Sequence, residues 1–210
     1  MKFLKKLSPV KCLVFALVFT LIFTALSSAI LHDWGNIGIS DVELQTAAGN
    51  KVVARVYKPD SATAESPAPA VVFTHGLTVN KESYAQYGLE LARRGFVVIT
   101  PDMLNHGDSE VTDAGTYLAP YTVSDAYGAF AAVRYAGTLD YVDKAQIGVA
   151  GHSAGGQASN NCVRLDDAEG TGLISAIYLV SSDPVYTDEE GNWANIYGAR
   201  DFGVYYTLYD

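Results

Sequence analysis

The stretch Gln146-Ile147-Gly148-Val149-Ala150-Gly151-His152-Ser153-Ala154-Gly155-Gly156 decides how this chain is read. Its first half is a short apolar run of the kind a fully buried strand takes. Its second half has the form Gly-x-Ser-x-Gly and opens a helical pattern that continues to Leu165. Small neighbours let a backbone turn sharply from strand into helix, so that the hydroxyl of the central serine stands clear. The five-residue pattern alone is weak. Its place between an apolar strand and a helix gives it weight, and it makes Ser153 a candidate nucleophile. The alternative is that Ser153 only caps the helix, since serine is a preferred N-cap.

Working outward, Ala70–Thr74, Gly95–Thr100 and Ile174–Val180 are further short apolar runs that read as core strands. Helical segments are expected at Lys81–Arg94, Ser124–Ala136 and Ala154–Leu165. Such alternation implies an α/β fold, a parallel sheet with right-handed crossovers covering both faces. Ahead of it, polar and apolar residues alternate over Val42–Gln45 and Lys51–Tyr57 around Ala48-Gly49-Asn50, which predicts an antiparallel hairpin. Asp60–Pro69 is small, polar and proline-bearing, and reads as a surface loop. In a sheet of this kind ligands bind where the carboxyl ends of the strands meet the loops.

At the end of an earlier core strand stands His75-Gly76-Leu77. There the Leu77 N–H can turn toward the serine and, with the N–H of Ala154, hold a developing oxyanion. The His75 imidazole is expected to bond loop backbone groups and to take no part in catalysis.

With these residues in view, the chain resembles the α/β-hydrolase superfamily, in particular its dienelactone-hydrolase, lysophospholipase and acyl-peptidase-like serine hydrolases. Three stretches carry the resemblance: His75-Gly76, the segment Gly95–Asp102 running into Asn105-His106-Gly107-Asp108-Ser109, and the turn around Ser153. The middle one is similar to the family's "PD…GHGxS" segment, with Asn105 where a glycine is usual. The resemblance covers about residues 39–183. The resemblance implies strands one to six of an eight-stranded sheet. It also implies acyl transfer from an ester, thioester or amide, whether a small molecule or an acyl or peptide substrate. No cofactor and no metal is expected. His106 would support its loop without being the catalytic histidine. The competing expectation is a non-catalytic binding or interaction protein on the same scaffold.

The family pattern also demands an acid and then a histidine after the nucleophile. Histidines stand only at positions 32, 75, 106 and 152, so none follows Ser153. His152 lies inside the turn, where its ring would point away from the serine. Asp183 is a candidate acid, although it follows the sixth strand and the family usually places that carboxylate after the seventh; it reads equally as a turn residue before Pro184. Asp188, Glu189 and Glu190 lack the spacing of a calcium loop and read as a solvated cluster. After Asp183 come Tyr186, Trp193, Tyr197, Phe202, Tyr205, Tyr206 and Tyr209, an aromatic density that wants a packing surface. The expectation is therefore a fragment whose last two strands, acid and histidine lie elsewhere, with the sixth strand left as a sheet edge.

The first residues carry a separate message. Lys2, Lys5, Lys6 and Lys11 precede Cys12–Leu31, which contains no charged residue. A helix of that length crosses a bilayer core. Residues 1–31 are expected to be a signal anchor or, given Ser27-Ser28-Ala29, a cleaved signal peptide. Residues 32–210 form the partial hydrolase domain. The lysines keep the amino side cytoplasmic, which predicts a single-pass membrane protein with an extracytoplasmic domain, or a secreted one. Without the leader, ten Lys and Arg face 23 Asp and Glu, an acidity that excludes nucleic acid as a partner. Cys12 and Cys162 fall in separate elements, and neither a disulfide nor a lipid anchor is expected.

Overall fold

The computed structural model describes residues 8–112, 125, 127–182, 186–187, 193–194 and 200–205. It divides into two units, residues 1–36 and residues 37–210. The first is built on helix α1 (Pro9–Leu31), with Pro9 at its start and Ser8 accepting from the Lys11 N–H as N-cap. After Lys11 the helix carries no charged side chain and none of its residues is buried, so it is long and apolar enough to cross a membrane.

The second unit is a seven-stranded mixed sheet of order β1-β2-β4-β3-β5-β6-β9. The strands are β1 (Ile37–Gln45), β2 (Lys51–Pro59), β3 (Ala68–Thr74), β4 (Val97–Pro101), β5 (Val142–His152), β6 (Ile174–Val180) and β9 (Asp201–Tyr205). A separate ladder joins β7 (Tyr186–Thr187) to β8 (Trp193–Ala194). The expected hairpin is present as β1 and β2, paired from Ile37↔Pro59 to Gln45↔Lys51. β2 runs antiparallel to β4, and the remaining neighbours are parallel.

The helices between the parallel strands are α2 (Ala85–Ala92), α3 (Ala129–Thr138) and α4 (Ala154–Glu169). α2 is shorter than its sequence signal because Lys81–Tyr84 forms a separate 3-10 turn ahead of it. α3 starts later than expected because Gly128 sits at φ 76°, outside helical space; the Asp125 carboxylate accepts the Phe130 N–H just inside. Ser124, where that helix was expected to begin, lies outside the described residues.

Side chains alternate along β3. Ala70 and Val72 join the large core beneath α3 and α4, whereas Phe73 joins a smaller one with Tyr57, Leu89 and Val98 beneath α2. The central strands β3 and β4 are thus covered from both sides, which is why they read as unbroken apolar runs.

The expectation of six strands is corrected in one respect. A seventh, β9, pairs in parallel with β6 from Ala176↔Asp201 to Val180↔Tyr205. β6 is therefore not the sheet edge, since its free backbone groups bond to β9. Arg200, just before β9, bonds the Ile174 carbonyl and the carboxylates of Asp166 and Asp167 on α4.

Candidate active site

Ser153 joins β5 to α4 at φ 54° and ψ −118°, a conformation that L-residues rarely adopt. The flanking glycines make the turn possible. A β-carbon on Gly151 would stand 2.1 Å from the Gly155 carbonyl oxygen, and one on Gly155 would stand 2.1 Å from that of Thr74. The Ser153 N–H donates to the Val180 carbonyl at 2.9 Å, anchoring the turn to β6. The residue is exposed. Among the described residues, no hydrogen bond joins its hydroxyl to another side chain.

β3 and β5 are neighbours, with Thr74 paired to Gly151. The loop after β3 therefore begins beside the serine turn, and the close approach of Gly155 to the Thr74 and His75 carbonyls shows the two segments in contact. Leu77, 47% exposed, lies on that loop, and Ala154 is the first residue of α4. As a first-turn residue, Ala154 leaves its N–H without an intrahelical acceptor. An open groove of ≈ 580 Å³ runs along the same loop, lined by Leu77, Thr78, Val79, Asn80 and Ser83 on one side and Asn105, His106 and Gly107 on the other.

The histidines have other partners. His75 is buried; its Nδ1–H donates to the Gly76 carbonyl at 2.7 Å and its Nε2 accepts the Met103 N–H at 3.0 Å. That pair of bonds fixes one neutral tautomer, and burial holds the imidazole below its ordinary pKa. His75 thus ties the β3 loop to the β4 loop. His106 stacks obliquely on it with ring centroids 5.0 Å apart, and its Nδ1 bonds the Leu104 carbonyl. His152 Nδ1 shares a 2.8 Å hydrogen bond with the Tyr84 hydroxyl and faces Gly76. Asp183, Asp188, Glu189 and Glu190 lie outside the described residues.

Sequence reasoning missed the most heavily bonded group beside this site. Lys81 is 1% exposed, and its Nζ reaches Asp102 at 2.8 Å, Asp108 at 2.6 Å and Glu82 at 3.2 Å. Burial alone would lower its pKa; the bonds to Asp102, Asp108 and Glu82 outweigh that and hold the ammonium above the usual lysine range. Asp102 is fully buried and also accepts the N–H groups of Lys81 and Asp108. Gly107, at φ 50°, leaves room for that carboxylate, since a β-carbon there would stand 2.1 Å from Asp102 Oδ2. Ser109 Oγ donates to the Asp102 carbonyl and accepts the Val53 N–H. The Pro101-Asp102…Gly107-Asp108-Ser109 segment is thus a self-bonded loop.

A sheet of this order, with a left-handed serine between its fifth strand and the following helix, defines a class of hydrolase folds. Residues 71–206 match the Alpha/beta hydrolase family. The chain belongs to that family.

Among solved structures it is similar to the thermophilic carboxylesterase EstE1 cloned from a metagenomic library, with 29% identity, a TM-score of 0.55, and 72% of this chain and 49% of that one covered. It is also similar to a hyperthermophilic esterase of the archaeon Pyrobaculum calidifontis, with 25% identity, a TM-score of 0.55, and 78% and 50% covered. A protein of Mycobacterium phage D29 that carries the name non-heme haloperoxidase is 35% identical over 105 residues, which are 50% of this chain and 34% of that protein. The chain spans about half the length of these solved structures and a third of the phage protein.

Proposed function

We propose that this chain carries the nucleophile half of a serine hydrolase acting on ester, thioester or amide bonds. In this reading Ser153 Oγ attacks the acyl carbon and the leaving group departs with a proton. The acyl-enzyme then yields to water. The N–H groups of Leu77 and Ala154 hold the oxyanion, each contributing about 3 kcal/mol. In this reading the general base is none of His75, His106 and His152: both ring nitrogens of His75 are bonded to backbone groups, and the family pattern places the base after the nucleophile. The observation that carries the reading is the left-handed conformation of Ser153 at an exposed strand-to-helix turn.

The test is capture of the full chain by a fluorophosphonate, with added imidazole standing in for the base. Losing the base costs about 10⁶-fold in turnover, so slow capture at Ser153 that imidazole accelerates is the expected result. Capture that persists in Ser153→Ala would sink the proposal.

The same reading makes α1 a membrane anchor with the catalytic unit outside the cytoplasm, or else a secretion signal; its support is the lysine-flanked apolar helix. Protease added to intact cells should digest the second unit and spare it only if it lies inside.

A further inference from the structure

Leu77 and Thr78 form the exposed tip of a tight turn after β3, and Thr78 sits at φ 69°. An exposed turn with a strained residue at its tip takes its position from the segments at its two ends. One end leaves β3 through His75. The other enters the 3-10 turn Lys81–Tyr84, whose two terminal residues point to different partners. Lys81 is locked into the β4 loop by its buried pair with Asp102 and its bond to Asp108. Tyr84 bonds His152, the residue immediately before Ser153.

We infer that the turn Lys81–Tyr84 is a strut that sets the Leu77 N–H against Ser153, with Lys81 and Tyr84 as positioning residues. This rests on the reading of Leu77 as an oxyanion donor. An apolar plug would fill the space of Lys81 without burying a charge. The ammonium instead demands one arrangement of three carboxylates, and so fixes the distance between the two loops. Tyr84 makes the matching connection to the serine turn. Neither residue touches the reacting atoms. Each acts through the position of the loop between them.

The experiment compares the full chain with Tyr84→Phe, Lys81→Met and the conservative Lys81→Arg. Two readouts are taken on each: the rate of fluorophosphonate capture at Ser153, and the rate of thermolysin cleavage within residues 76–80 relative to cleavage elsewhere. Tyr84→Phe should keep its melting temperature, slow capture about tenfold and speed cleavage in the loop alone. Lys81→Met should do the same more strongly, and Lys81→Arg should recover part of the capture rate. If Lys81→Met does not fold, Asp108→Asn replaces it, since that partner is exposed. Variants that fold normally with capture and loop cleavage both unchanged would overturn the strut. If the unmodified chain is not captured above Ser153→Ala, the reading of the site fails instead, and the strut stands or falls on the cleavage pattern.

Discussion

Gly155 lies against Thr74 so closely that a β-carbon on it would meet the Thr74 carbonyl oxygen at 2.1 Å and the His75 carbonyl oxygen at 2.5 Å. Both obstacles are backbone atoms of a central strand and its loop, and neither can swing aside. Gly155→Ala should therefore destabilise the domain by about 3 kcal/mol or more. Gly38→Ala is the matched control, because its added carbon would have only an ordinary 3.7 Å contact with the Lys58 carbonyl. Urea denaturation of the two variants should separate them clearly.

Asp125 gives the fold a pH dependence. Burial, opposed by its bonds to backbone N–H groups of α3, raises its carboxyl from 3.8 to about 6. The folded state therefore binds this proton more tightly than the unfolded chain does. The contribution to stability is full below pH 3.8 and is lost as pH rises through 6. Asp125→Asn keeps an acceptor for the Phe130 N–H and removes the titration. Between pH 4 and 7 the parent should lose on the order of 2 kcal/mol relative to this variant, read as diverging melting temperatures.

Asp166 accepts from the Thr171 hydroxyl, the Leu173 and Ile174 N–H groups and Arg200, all at the junction of α4 and β6. Burial works against its ionised form, but these bonds prevail and lower its pKa. Asp166→Ala strands buried N–H groups and should cost about 3 kcal/mol. Asp167→Ala, which removes the exposed partner of the same arginine, should cost less than about 1 kcal/mol. Chemical denaturation measures both.

Cys162 is buried, and burial together with the charges of Asp125 and Asp166 pushes its thiol well above the usual range. In a Cys12→Ser background the thiol should resist iodoacetamide at pH 8 for as long as the protein stays folded. Its modification should follow the urea unfolding curve. Rapid alkylation without denaturant would contradict this.

What could be read from the sequence was what the chain keeps local. The serine turn and the strand before it are consecutive residues, and β6 was expected over the same Ile174–Val180 that the structure shows. The hairpin was legible from its alternation and its glycine turn. Contacts made across the fold left no such trace. Lys81 and Asp102 are 21 residues apart, and Tyr84 and His152 are 68 apart. In the sequence Asn80-Lys81-Glu82 looks like an ordinary solvated helix start, and nothing local shows that the lysine will be sealed beneath a loop. β9 is not legible because Asp201–Tyr205 sits in an aromatic stretch with no strand alternation of its own, and its partner, β6, is more than twenty residues upstream. His75 shows the reverse: its neighbours in sequence suggested backbone bonding, and the ring makes two such bonds.

Ser153 at φ 54° also sets durability against reactivity. A serine held there costs about 1 to 3 kcal/mol, and a glycine would adopt the same backbone almost freely. A protein engineer ranking substitutions by folding free energy alone would choose Ser153→Gly first. That choice would harden the scaffold against heat and delete the hydroxyl on which the proposed reaction depends.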